Sequence, residues 1–392
     1  MKILIYSQYF WPEKFIVNDF ALELVKKNEV DVLTGLPNYP YGRFFNGYGY
    51  FRKKKEIYKN INIYRNNIIP RKKSTTYNLI LNYFSFLFFS FFKLLFLNTK
   101  NKKYDLCIVY APSPLISLIP IFFLKKKFKF KIYLWVQDLW PAVIENKTKF
   151  KFLKFLINKL CQYIYLNSDI LLLQSNAYKD YLKKNYKIND NKLFYFPNWS
   201  ENNQRINYKP AIRKKLKIGY LGNIGFAQNF NNLCNILAAN NLNHFEFHFY
   251  GNGRFKSTFL SKVQKLNIKN IYFHNFKNIF ELRIILEDFD ALFLSLSKEY
   301  KHTIPAKFQF YLSLGMPIMA IIEGSTKEII NHNNVGFACS ENENNIFIKK
   351  ALKFADMNLE EKKNIANNAF RLYQNTFSKE KIMQKFYGIL NK

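Results

Sequence analysis

Acidic residues, glycine, histidine and cysteine are all scarce in this chain of 392 residues, and each shortage narrows what it can do. The four cysteines, Cys107, Cys161, Cys234 and Cys339, lack the spacing of a disulfide framework or a zinc site and read as reduced core thiols of a cytosolic protein. The five histidines all follow residue 243 and form no HxxxH pair or Cys/His cluster, so no protein-held metal is expected. Neither a GxSxG elbow nor a P-loop occurs. Met1–Tyr6 holds one lysine and a short apolar run before Ser7 and Gln8, unlike a secretory signal. Only 27 Asp and Glu face 60 Lys and Arg, a net charge of +33. That excess fits a polyanionic partner, whether nucleic acid, an anionic membrane face or phosphorylated substrates. It equally fits AT-biased codons that exchange Arg for Lys. The lysine clusters Lys53–Lys55, Arg71–Lys73, Lys100–Lys103, Lys125–Lys127 and Lys147–Lys154 all precede residue 155.

What is present is alternating strand and helix. Ile3–Tyr6, a helix over about Asn18–Lys27 and Val30–Thr34 make a βαβ unit, hence parallel sheet. Its two loops with unusual chemistry, Gln8–Asn18 and Gly35–Gly42, lie at the carboxyl ends of the strands, where such sheets bind ligands. Strands at Ile61–Arg65, Leu106–Tyr110, Lys131–Val136 and Ile170–Gln174 follow, with helices at Leu115–Lys125 and Phe150–Asn167. A second series begins at Lys217–Leu221 and continues through Phe245–Tyr250, Ile271–His274, Ala291–Leu296 and Pro317–Ile322, before three terminal helices. Each strand is a continuous apolar run, as expected when both faces are buried. The pattern predicts two doubly wound Rossmann-like α/β domains facing across a cleft: 1–200, a linker at 201–214, and 215–376, followed by a last helix at 377–392.

Leu79–Leu97 is long enough to span a bilayer, but Asn82, Ser85, Ser90 and Lys93 interrupt it and sheet strands flank it. It reads instead as a helix that covers the sheet and lays an apolar face on the membrane surface, flanked by lysines. An ordinary buried core helix is the competing reading.

Several motifs carry chemistry. Leu216–Asn229 places Gly222, Asn223 and Gly225 after a strand and before a helix, where backbone N–H groups can approach a phosphate. Gly251 and Gly253 repeat the arrangement after the next strand. Lys307 falls in the first turn of a helix that starts near Pro305 and ends at Gly315. Asp288 and Asp290 form a DxD, which reads as an acidic turn before a strand. Asp138, in Gln137-Asp138-Leu139-Trp140-Pro141, ends a buried strand beside the Trp11–Glu13 and Asn38–Pro40 loops and is a candidate for binding or catalysis.

Together, SQYFWPEKF, VDVLTGLPNYPYGRFFNGYGYF, VQDLWP, FPNW, GYLGNIGFAQNF, FYGNG and TIPAKFQFYLSLGMPI resemble the retaining, nucleotide-sugar-dependent glycosyltransferases of family 4. The branch is that of O-antigen, capsule and colanic acid clusters, which includes fucosamine transferases. The resemblance implies a GT-B fold, with acceptor on the first domain, UDP-sugar on the second, the terminal helix 377–392 returning to the first domain, and no cofactor or metal. It implies donor contacts at Gly222, Asn223, Gly225, Gln228, Gly251, Gly253, Thr303, Pro305, Lys307 and Tyr311. Acceptor contacts fall on Trp11, Pro12, Glu13, Asn18, Asn38, Tyr39 and Pro40, and catalytic roles on Asp138, Glu13 and Lys307. The expected reaction passes a sugar, plausibly an N-acetylated deoxyamino sugar, from UDP to a polyprenyl-diphosphate-linked glycan at the cytoplasmic face of the inner membrane. The departing diphosphate itself would help deprotonate the acceptor.

The sequence also departs from that family. Its EX7E carboxylates would stand at His302 and Phe310. The basic residues usual after the second domain's first strand are Asn223 and Gln228, a common catalytic histidine is Gln137, and a frequent arginine is Ile16. A UDP-sugar 2-epimerase of the same architecture and a non-catalytic partner of another transferase are the rival readings. A nucleic-acid binder lacks a recognised module.

Overall fold

A computed structural model describes residues 1–98, 103–112, 114–144, 150–200, 204–239 and 242–391. Lys100–Lys102, Lys147, Lys149 and the first three residues of the expected linker lie outside the described residues. The chain divides into two compact units, Met1–Phe196 and Pro197–Lys392.

The first unit runs β1 (Lys2–Ser7), α1 (Ile16–Leu24), β2 (Glu29–Gly35), β3 (Lys55–Tyr58), β4 (Ile61–Asn66), α2 (Thr76–Asn98) and β5 (Leu106–Ala111). It continues with α3 (Ile119–Phe128), β6 (Lys131–Val136), α4 (Lys151–Asn167), β7 (Ile170–Leu173), α5 (Asn176–Tyr186) and β8 (Leu193–Tyr195). The eight strands order as β3-β4-β2-β1-β5-β6-β7-β8, all parallel except the β3–β4 hairpin. The steps β4→β5, β5→β6, β6→β7 and β7→β8 all run one way along the sheet, so right-handed crossovers stack α2 to α5 on one face. The step β1→β2 runs the other way and puts α1 on the opposite face. Packing agrees: Phe86, Ile121, Ile164 and Tyr178 share one core with Leu4 and Tyr6. Phe20 of α1 instead meets Trp135 and Phe196.

The second unit carries β9 (Leu216–Leu221), α6 (Phe230–Ala239), β10 (Phe245–Tyr250), α7 (Lys256–Lys265), β11 (Ile271–His274), α8 (Ile279–Leu286), β12 (Ala291–Ser295) and α9 (Ala306–Leu314). Then come β13 (Ile318–Ile321), α10 (Ser325–His332), β14 (Gly336–Cys339), α11 (Asn344–Asp356), α12 (Leu359–Leu372) and α13 (Lys379–Leu390). Its sheet is wholly parallel, ordered β11-β10-β9-β12-β13-β14.

Most expected strands stand within a residue of their predicted bounds. Unforeseen were the edge strands β3 and β14 and the helices α5 and α10. The helix expected from Leu115 opens as a separate 3-10 turn, Leu115–Leu118, and the second of the three terminal helices, expected over Leu359–Thr376, widens into a π turn at Tyr373–Phe377. The described part of the expected linker is irregular but not slack. Ile206 and Tyr208 are buried, Ile206 N–H donates to Leu314 O at 3.0 Å and the Tyr208 hydroxyl donates to Asp290 O at 2.8 Å.

Candidate active site

In the second unit the strand order reverses at β9, with β10 on one side and β12 on the other. A parallel sheet opens a crevice at its carboxyl end there. Gly222, just past β9, takes φ +106° in the left-handed region, and its N–H donates to Tyr250 O at 2.9 Å. Ile224 N–H donates to Asn252 O at 2.8 Å, so the loops after β9 and β10 are joined backbone to backbone. A Cβ on Gly251 would sit 1.9 Å from Gly222 O, and one on Gly253 would sit 2.2 Å from Ile224 O. Only glycine permits this approach. Gln228 takes the Gly225 N–H on its Oε1 at 2.9 Å, and Ser295, ending β12, donates its hydroxyl to Gln228 O.

Lys307, in the first turn of α9, crosses to this loop. Its Nζ donates to Asn223 O at 3.1 Å and to the Tyr220 hydroxyl, and lies 4.1 Å from the centre of the Tyr220 ring. Burial alone pushes its pKa down to about 7. An anion arriving beside it would restore the full charge, which makes this lysine a responsive partner for a diphosphate. Pro305 caps α9 in extended conformation, and Thr303 is held by N–H donation to Tyr300 O at 2.8 Å. Tyr311 supports the site from beneath: it is fully buried, and its hydroxyl accepts the Leu221 N–H at 3.0 Å. Asp288 and Asp290 precede β12 at the other end of the sheet. Asp288 pairs with Lys217 and Arg213, and Asp290 accepts the Lys217 N–H, so the DxD is a structural turn there.

In the first unit the reversal falls at β1, between β2 and β5. Glu13, only 1% exposed, accepts the N–H groups of Asn38 at 2.8 Å and Tyr39 at 2.7 Å on one oxygen. Asn18 donates its amide to Glu13 O at 2.6 Å, and Trp11 stacks on Tyr58 at 4.2 Å. The expected acceptor residues Trp11, Pro12, Glu13, Asn18, Asn38, Tyr39 and Pro40 thus form one connected pair of loops. The peptide bonds before Pro12 and Pro40 are cis. Burial raises the Glu13 pKa to about 7 against its hydrogen bonds, and burial alone raises Asp138, past β6, to about 7. Glu13 is occupied in holding the Asn38 loop. Asp138 is the carboxyl better placed to exchange a proton near neutral pH.

The model of the family described as "Glycosyl transferases group 1" matches residues 202–372. Over this region the chain is similar to that family. No curated protein gave a significant match. Among solved structures, sucrose-phosphate synthase from Thermosynechococcus elongatus is similar at TM-score 0.73 and 14% identity, covering 99% of this chain and 98% of that one. HepE from Anabaena, solved with UDP, gives TM-score 0.70 at 13% identity with both chains wholly covered. The lipopolysaccharide outer core galactosyltransferase WaaB gives TM-score 0.69 at 14% identity, covering 100% and 99%. The fold is GT-B.

In the other half of this GT-B chain, two arginines outside the expected site residues organise the loops. Arg65, at the end of β4, is buried, paired with Glu56, and donates to Trp11 O at 2.7 Å and Gly35 O at 3.3 Å. Arg71 lies over the rings of Tyr39 at 5.3 Å, Tyr9 at 5.6 Å and Tyr83 at 5.8 Å, while its backbone N–H donates to Asn38 Oδ1 at 3.1 Å. The available signal was rarity: in a chain whose positive charge is mostly lysine, an arginine just past a strand end stands out. In the second unit, Glu341 was also missed. It follows β14 and accepts the Asn229 amide at 2.8 Å.

Proposed function

We propose that the protein is a retaining glycosyltransferase that moves a sugar from a UDP-sugar to a lipid-linked glycan precursor of a surface polysaccharide. The observation that carries the reading is the place of Lys307, which reaches Asn223 O and the backbone of Gly222 where the Gly222–Gly225 and Gly251–Gly253 loops meet, at the strand reversal of the second unit. Backbone N–H groups and a lysine at that point suit a departing diphosphate, the charge whose stabilisation dominates such a transfer. Solved neighbours bound to UDP or UDP-glucose support the donor class. No cofactor enters the reading, and an N-acetylated deoxyamino sugar is the donor favoured by the sequence resemblance.

On the acceptor side, the Glu13-held loops and the cation of Arg71 among three tyrosines suit an anionic, diphosphate-bearing acceptor. Asp138, poised near pH 7, is the group proposed to handle the acceptor's proton alongside the diphosphate. A lipid-linked acceptor requires the enzyme to work at the membrane surface. Helix α2 is long and apolar enough to cross a bilayer, yet it packs on the sheet through Phe86 and Leu94, which supports peripheral attachment at the cytoplasmic face.

The test incubates purified protein with a panel of UDP-sugars and lipid-linked acceptor extracts, and follows both UDP release and the lipid product. A lengthened lipid with the donor's anomeric configuration supports the reading. UDP binding without turnover across the panel points to a non-catalytic partner. Conversion of a UDP-sugar without acceptor points to an epimerase.

A further inference from the structure

The first unit exposes more apolar surface than α2 alone. Helices α2, α3 and α4 lie on one face of the eight-stranded sheet, and their inner residues share one core. Among the described residues, many of their outer side chains are exposed. On α2, Ile80, Phe84, Phe88, Phe92 and Phe96 recur every four residues, each at least 45% exposed. Phe123 of α3 is 66% exposed, and the ring of Phe91 on α2 lies 5.7 Å from it. At the start of α4, Phe150 and Phe152 are 76% and 73% exposed, and Leu153, Phe155 and Leu156 are exposed with them. A patch of this kind marks an interaction surface.

The charge on the same helices is of one sign. None of the three contains Asp or Glu, while Lys93, Lys151, Lys154 and Lys159 stand among the phenylalanines. A second copy of this face would bring lysine against lysine with no acid to pair it. An anionic lipid surface offers phosphates to the lysines and hydrocarbon to the aromatic rings. We infer that α4, with α2 and Phe123, forms a single docking face whose occupant is an anionic phospholipid bilayer. This deepens the membrane attachment proposed above and rests on it, assigning α4 a part that the α2 segment alone does not have.

The test is co-sedimentation of the full chain with phosphatidylcholine vesicles, with and without phosphatidylglycerol. The wild type binds the anionic vesicles, and added salt weakens that binding. The double variant Phe152→Asp/Phe155→Asp loses at least tenfold in partitioning. Lys151→Glu/Lys154→Glu loses a similar factor on anionic vesicles and little on neutral ones. Unchanged thermal melting shows that both variants are folded. If the α4 variants partition like the wild type while Phe88→Asp/Phe92→Asp does not, the inference is overturned and α2 acts alone. If light scattering shows a dimer that the α4 variants dissolve without changing vesicle binding, the face is a contact between copies. Wild-type protein that binds no vesicle removes the membrane location itself. Transfer to a detergent-solubilised acceptor tests the transferase reading separately.

Discussion

At the scale of single residues, the site depends on groups whose pKa burial has moved. Lys307 falls from 10.5 to about 7, so near neutral pH it is only partly charged before a ligand arrives. A diphosphate prefers the charged form and draws a proton in. Affinity for UDP therefore falls as pH rises above about 7, by up to about tenfold per pH unit. Calorimetry in buffers of different ionisation enthalpy should record proton uptake, and Lys307→Met should abolish both uptake and slope. A slope that survives in the variant removes Lys307 from the diphosphate site. Glu13 shows the opposite displacement, from 4.5 to about 7. The folded carboxyl holds its proton more tightly than the unfolded one, so its contribution to stability declines as pH rises through that window. Glu13→Gln keeps an acceptor for the Asn38 and Tyr39 amides and loses this decline. Glu13→Ala leaves the buried Asn38 N–H and the part-buried Tyr39 N–H unpaired and should cost about 2–4 kcal/mol, read from urea midpoints at about pH 5 and about pH 8.

At the scale of elements, the loops after β9 and β10 act as one piece because their backbones touch. Gly251→Ala forces its Cβ against Gly222 O, so the two loops must separate. The expected outcome is a loss of about 1–3 kcal/mol in stability and at least a tenfold loss in UDP affinity, measured by melting and by titration. Gly49, with open space around the place of a Cβ, is the matched control and should tolerate alanine at both readouts. The sequence exposed these loops because glycine is scarce: two glycine turns after two apolar strands stand out in so lysine-rich a chain. It hid what α2 and α4 share. Apolar composition in α2 was plain, but periodicity alone does not tell whether a phenylalanine faces the core or the outside. In α4 the lysines between the rings break up the apolar run, so the segment lacks the length and hydropathy that mark α2. Edge strands β3 and β14 are short and half-polar or follow a polar turn, which leaves little hydrophobic pattern to read. Glu13 shows the corresponding limit for sites: its residue type suggested chemistry, whereas its fixed hydrogen bonds to Asn38 and Tyr39 come from a loop some 25 positions later.

At the scale of the whole molecule, the fold was legible because buried parallel strands are continuous apolar runs, and the same runs gave each unit its own core. Residues of Leu4–Leu193 form one core and those of Leu216–Ile365 another. Each unit is of a size that sustains a cooperative transition by itself. The GT-B chain should therefore unfold in calorimetry as two overlapping transitions. The loops proposed to bind the donor, with Lys307, belong wholly to Pro197–Lys392. UDP stabilises only the unit that binds it, by about 2.7 kcal/mol at a hundred times its dissociation constant. For a unit of this size that is a rise of roughly 5–10 °C. The prediction is that saturating UDP moves one transition by this amount and leaves the other in place, and that Lys307→Met suppresses the movement. A single transition that shifts as a whole would show that the two units unfold as one, and a shift confined to the transition of Met1–Phe196 would place the nucleotide on the wrong unit.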